Sequence, residues 1–257
     1  MSGLRASPQP LAYDLAGEGP AVVFLHGLTF DRSTWAPIVD RLAPQATCLS
    51  VDLPAHGGTG GVPLPVPAVA TRVHDLVEDL ALDRPVLVGH SMGAWVVTVY
   101  AAEFPAAGVV NVDQALDVRP FSQLLRHLEP QLRGAGFAAA FDLFQRGMEI
   151  ERIPEPLRSA VLRSQDIRPE VVVGYWEEVL GRTPEEMQAL VDHTVDSLQQ
   201  PYLAVFGRRL AEPERTGTLQ RVKHLRLEEW LGRGHFPHLA ELDCFLDCLR
   251  SFVDGCS

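Results

Sequence analysis

The residues most able to do chemistry form one short motif, Gly89-His90-Ser91-Met92-Gly93. A Gly-x-Ser-x-Gly run placed directly after an apolar strand and before a helix puts its serine on a tight, strained turn. The two glycines keep side chains out of that turn. The helix that follows points its N-terminal dipole at the site, and the backbone N–H of Met92 then faces any oxyanion developing on a substrate. A serine hydroxyl is a weak nucleophile unless an imidazole takes its proton. The chain has nine histidines, and His235 is the expected base, because Gly232-Arg233-Gly234-His235-Phe236-Pro237 is a Gly-rich loop that lets the ring approach the turn. His238 is the close competitor, but it is placed at the start of the last helix, facing elsewhere. His26 and His56 read as loop-bracing residues, and His74, His127, His193 and His224 as ordinary helix or strand residues.

An acid must hold the imidazole tautomer. Asp113 ends the apolar run Val109-Val110-Asn111-Val112, and a carboxylate at a buried strand end needs a partner. His235 would be that partner. Glu212 and Asp117 are the alternatives.

Five further runs must position these groups: Ala21–Leu25, Ala46–Leu53, Pro85–Gly89, Tyr202–Gly207 and His224–Leu227. They alternate with helical patterns at Trp35–Leu42, Val66–Leu82, Ala94–Phe104 and Leu239–Val253. Continuous apolar strands separated by helices predict an α/β chain with a mostly parallel twisted sheet covered on both faces. Between Asp117 and Gln200 the strand signal disappears. Helical pieces replace it at Phe121–Leu132, Phe137–Met148, Pro156–Arg163, Pro169–Leu180 and Pro184–Leu198, with prolines near several starts. The expected organisation is a core of residues 1–116 and 200–257 with a helical cap, 117–199, between two strands.

On these residues the chain resembles the α/β-hydrolase superfamily from Leu11 to Val253. His26-Gly27-Leu28-Thr29 matches that family's oxyanion loop, and the resemblance implies the N–H of Leu28 as the second oxyanion donor beside Met92. Asp52-Leu53-Pro54-Ala55-His56-Gly57 resembles the family's Asp-x-Pro-Gly-His-Gly loop, with Ala55 in place of a glycine. The usual acid position, in a Gly-x-x-Asp pattern after the seventh strand, is Leu210 here. The resemblance therefore implies a cap inserted after the sixth strand and an acid, Asp113, at the end of that strand. Two subgroups with this arrangement are similar: lactonases, and more distantly cofactor-independent quinolone dioxygenases, which share a stretch like Glu212-Pro213-Glu214. Ser91 excludes the dehalogenase and epoxide-hydrolase chemistries that need an aspartate nucleophile.

The expected function is hydrolysis of a carboxylic ester or lactone of a moderately hydrophobic small molecule through an acyl group on Ser91. A cofactor-free oxygenase using His235 and Asp113, or a non-catalytic ligand receptor, are the alternatives. Cap aromatics are expected mainly to pack the cap. Some of Phe121, Phe141, Tyr175 and Trp176, with Phe30, Trp95 and Phe236, should line an apolar cleft.

No cofactor or metal is expected. Cys48, Cys244, Cys248 and Cys256 read as free thiols, with Cys244 and Cys248 on one helix face for packing. A net charge of −11 argues against a nucleic-acid partner. Residues 1–10 carry one arginine and no apolar segment, so no signal peptide is expected, and no apolar run reaches membrane-spanning length. Together these imply a cytoplasmic monomer or homodimer. The single lysine, Lys223, beside 21 further cationic residues that are arginines suggests a GC-rich, bacterial genome.

Overall fold

The computed structural model describes residues 10–256; the first nine residues of the signal-peptide expectation lie outside that range. Seven strands form one sheet: β1 (Tyr13–Ala16), β2 (Ala21–Leu25), β3 (Thr47–Val51), β4 (Val86–His90), β5 (Gly108–Val112), β6 (Tyr202–Phe206) and β7 (Leu225–Glu229). Their order is β1-β3-β2-β4-β5-β6-β7, parallel throughout except for β1, which runs antiparallel to β3. The helices are α1 (Ala36–Leu42), α2 (Val66–Asp79), α3 (Met92–Glu103), α4 (Arg119–Leu132), α5 (Phe137–Gly147), α6 (Leu157–Ser164), α7 (Pro169–Leu180), α8 (Pro184–Ser197), α9 (Glu212–Arg221), α10 (Pro237–Ala240) and α11 (Leu242–Cys256).

The apolar runs form central strands because alternate side chains serve opposite faces. Val22 and Phe24 of β2 pack with Ile38 of α1 and Phe245 and Leu249 of α11. Val23 and Leu25 pack on the other face with Val69 and Val73 of α2 and Val96 and Val97 of α3. This is the expected α/β-hydrolase architecture with helices on both faces.

Three features differ from expectation. Edge strand β1 is short and largely exposed, so it carries no apolar run to detect. Helix α9, which Glu212 opens, is absent from the helical patterns read from the sequence, because its polar residues have little apolar periodicity. Among the described residues only four strands precede Gly108, so the strand carrying Asp113 is the fifth in chain order rather than the sixth.

Between β5 and β6 lie α4 to α8 and no strand. Proline occupies the first turn of α4, α7 and α8, where its missing N–H costs no hydrogen bond. Leu125, Phe141, Val172 and Val191 of this insertion share one apolar core with α2 and α3, whereas Ile153 and Val161 join the core on the opposite sheet face. The insertion thus contributes to the apolar cores on both sides of the sheet. Cys248 of α11 is buried in the core and packs as expected, whereas Cys244 is exposed; all four cysteines are free. No helix among the described residues is long and apolar enough to cross a membrane.

Candidate active site

Strand β4 is fully buried and runs straight into α3 through a single residue, Ser91, with φ 52° and ψ −122°. That conformation is strained for a residue with a Cβ, by about 1–3 kcal/mol. The surroundings enforce it. The N–H of Ser91 donates to the Val112 carbonyl of β5 at 2.9 Å. A side chain on Gly89 would overlap the backbone of Gly93, and one on Gly93 would overlap the carbonyl oxygens of Leu25 and His26. Gly93→Ala is therefore expected to cost about 3 kcal/mol, since neither carbonyl can retreat without breaking the sheet. In a thermal melt this is roughly 6–12 °C for a chain of this size; a variant melting with the wild type would show that the turn has room.

His235 lies in the loop between β7 and α10. Its Nδ1 is 2.7 Å from Oδ2 of Asp113, and Oδ1 of Asp113 accepts from the N–H of Gly207 at 3.0 Å. Asp113 itself sits just past β5 at φ 55°, its N–H donated to Val205 of β6 at 2.9 Å. A carboxylate only accepts, so Nδ1 carries the proton and Nε2 keeps its lone pair. The His235 backbone is held on both sides: its N–H donates to the Met148 carbonyl at 3.1 Å, and its carbonyl accepts from Nε2 of His90 at 2.8 Å. Ser91 and His235 line one cavity without a direct hydrogen bond between them. Such contacts commonly tighten only when substrate is bound.

The competing residues are engaged elsewhere. Asp117 pairs with Arg119, which holds its carboxyl below the usual range. Glu212 is exposed at the start of α9, Glu214 binds Arg208 and Leu210 is buried. His238 is buried with its ring 4.8 Å from Trp35 and 4.9 Å from His90, and burial lowers its pKa to about 3.

The loop carrying Leu28 is fixed by histidines. Nε2 of His26 accepts from the N–H of Leu53 at 3.0 Å, so its Nδ1–H donates to the Gly27 carbonyl at 2.8 Å. Nε2 of His56 accepts from the N–H of Thr29 at 3.2 Å. Burial lowers His26 to about 4 and, with His26 as a neighbour, His56 to about 3, so both remain neutral acceptors. Thr29 is held at φ 72°, and its carbonyl accepts from the N–H of Asp166 at 2.7 Å. The N–H groups of Leu28 and Met92 have no acceptor among the described residues.

The cavity above these groups has a volume of about 500 Å³. Phe30, Trp95, Phe121, Phe141, Tyr175 and Trp176 line it. Phe236 does not, contrary to expectation: its ring is buried against His90 at 4.5 Å and edge-on to Phe30 at 5.3 Å. It is the residue after His235, so turning the imidazole toward the cavity turns the phenyl ring into the core.

Other contributions were not visible in the sequence. His90 supports the His235 loop, and Tyr175, expected only as a lining residue, also donates its hydroxyl to the Pro54 carbonyl at 2.7 Å. Met148 and Asp166 act through backbone atoms, which leave no trace in residue type. His90 adjoins Ser91, and that adjacency was its only available signal. No group of three metal-ligating side chains occurs among the described residues.

A sequence model of the alpha/beta hydrolase family matches residues 22–243. An uncharacterised protein of Mycobacterium tuberculosis is 28% identical over 95% of this chain and 78% of its own length. The 2-(acetamidomethylene)succinate hydrolase of Mesorhizobium japonicum is 32% identical over 41% of this chain and 38% of its own length. Among solved structures, the enol-lactonase of Burkholderia xenovorans has a TM-score of 0.73 at 20% identity, covering 95% of this chain and 96% of that one. AqDC, described as recognising and ring-cleaving the Pseudomonas quinolone signal, has a TM-score of 0.79 at 15% identity, covering 95% and 96%. At these identities the structural likeness speaks for the fold.

Proposed function

The chain belongs to the alpha/beta hydrolase family, and from that premise we propose that it is a serine hydrolase cleaving a carboxylic ester or lactone of a small, moderately hydrophobic molecule. The observation that carries this reading is the strained Ser91 turn opening into the same cavity as His235, whose Nδ1 is paired with Asp113.

In the first step the Ser91 hydroxyl oxygen attacks the substrate carbonyl as Nε2 of His235 takes its proton. The N–H groups of Leu28 and Met92 receive the resulting oxyanion, and Asp113 stabilises the imidazolium. Collapse breaks the carbonyl–oxygen bond, and His235 returns the proton to the departing alkoxide. Water, deprotonated by His235, then attacks the acyl group, and Ser91 is released with its proton restored. A lactone follows the same steps, its alcohol remaining tethered to the acid.

A fluorophosphonate probe tests this directly. The wild-type protein should gain the probe's mass on Ser91. Ser91→Ala should remain unlabelled and lose at least about 10³-fold in kcat, as removal of a triad nucleophile does elsewhere. Folded wild-type protein that stays unlabelled would sink the reading. The likeness to AqDC supports a second one, in which the His235–Asp113 pair deprotonates a substrate for attack by dioxygen. Turnover that stops under anaerobic conditions would favour it.

A further inference from the structure

The charges around the cavity, rather than its size, narrow the substrate. Four ionisable carboxylate or guanidinium groups line it: Asp113, Glu149, Glu178 and Arg208. Each already has a partner. Asp113 holds His235, Glu149 pairs with Arg152 at 2.8 Å, and Glu178 pairs with Arg182 at 3.3 Å. Arg208, the one cation of the lining, is bound through both terminal nitrogens to the carboxylate of Glu214 at 2.9–3.1 Å. The lining therefore offers three acids and one neutralised arginine, and no free cation to receive an anionic substrate. A carboxylate brought into this apolar space would be desolvated without a counter-charge, which is costly.

A second observation concerns shape. Leu124 of α4 and Leu143 of α5 line the cavity, yet 41% and 53% of their surfaces are exposed. The apolar lining thus continues from Ser91, past Phe121, Phe144 and Trp176, out to solvent at these two leucines. A compact substrate held near Ser91 would leave that rim wet. An extended alkyl chain would cover it.

We propose that the substrates are uncharged esters carrying a linear apolar chain, which runs from Ser91 along α4 and α5 to a mouth at Leu124 and Leu143, and that dicarboxylates are excluded. This rests on the serine-hydrolase reading and narrows it. It also separates this chain from the succinate-type substrate in the name of its Mesorhizobium japonicum relative.

The test compares wild-type kcat/KM for 4-nitrophenyl hexanoate with that for the mono-4-nitrophenyl ester of hexanedioic acid, equal in carbon number but with a terminal carboxylate that stops short of the solvent-exposed mouth. The hexanoate should be preferred by at least about 100-fold. Along butyrate, hexanoate and octanoate, kcat/KM should rise by up to about fourfold per methylene that reaches the apolar lining. Leu143→Glu should lower the octanoate-to-butyrate ratio at least tenfold. Comparable or better turnover of the carboxylate ester, or no dependence on chain length, with Ser91 still labelled by fluorophosphonate, overturns this inference alone. Turnover of neither ester with Ser91 unlabelled overturns the hydrolase reading and this inference with it.

Discussion

Asp113→Asn is expected to lower kcat/KM by about 10⁴-fold while the protein still folds, the loss seen when the orienting acid of such a triad becomes an amide. The reason is a tautomer. Oδ1 of Asp113 accepts from the N–H of Gly207, a group that can only donate. In the variant that site must stay occupied by the amide oxygen, which turns the amide NH₂ toward Nδ1 of His235. Nδ1 then has to accept, so the ring proton moves to Nε2, and Nε2 can no longer take the proton of Ser91. Glu212→Gln, on the exposed start of α9, should change kcat/KM by less than twofold. Steady-state kinetics on both variants, with thermal melts to establish folding, distinguish the two acids. An Asp113→Asn enzyme of full activity would remove Asp113 from the mechanism.

Much of this arrangement was legible in the residues because it rests on backbone physics. The buried runs at Ala21, Pro85 and Val109 have few alternatives to a parallel sheet. Gly89 and Gly93 are required by overlaps with fixed carbonyls, so their spacing around Ser91 carries real information. What was illegible is of two kinds. Strand β1 and helix α9 lie at edges, where packing demands no apolar pattern. The bracing of the loops around Leu28 and His235 by Asp166 and Met148 uses peptide groups, which every residue possesses. Phe236 differs for a third reason: consecutive side chains of the His235 loop face opposite sides, so adjacency in sequence does not bring its ring into the cavity.

The chain should also unfold steeply in mild acid, because four histidines are buried as neutral rings. His26 is lowered to about 4, His56 and His238 to about 3, and burial drives His90 well below its ordinary value. In the unfolded chain each returns to about 6.5. Between these limits the unfolded state binds more protons than the folded one, so stability is fully present above about pH 6.5 and is lost as pH falls. Each fully mismatched histidine contributes a slope of about 1.4 kcal/mol per pH unit, and four together approach about 5 kcal/mol per unit near pH 5. Total stabilities are typically about 5–15 kcal/mol, so urea midpoints should fall sharply from pH 6 to 4.5, before most carboxylates titrate. Unfolding, not activity, is the quantity to follow. Flat midpoints from pH 6.5 to 4.5 would show that these rings reach water. The contribution is separable at His238, whose Nδ1 lacks a partner and whose ring packs against Trp35 and His90. His238→Phe retains that packing surface, so it should remove about one proton from the unfolding reaction and flatten the acid limb by about a quarter.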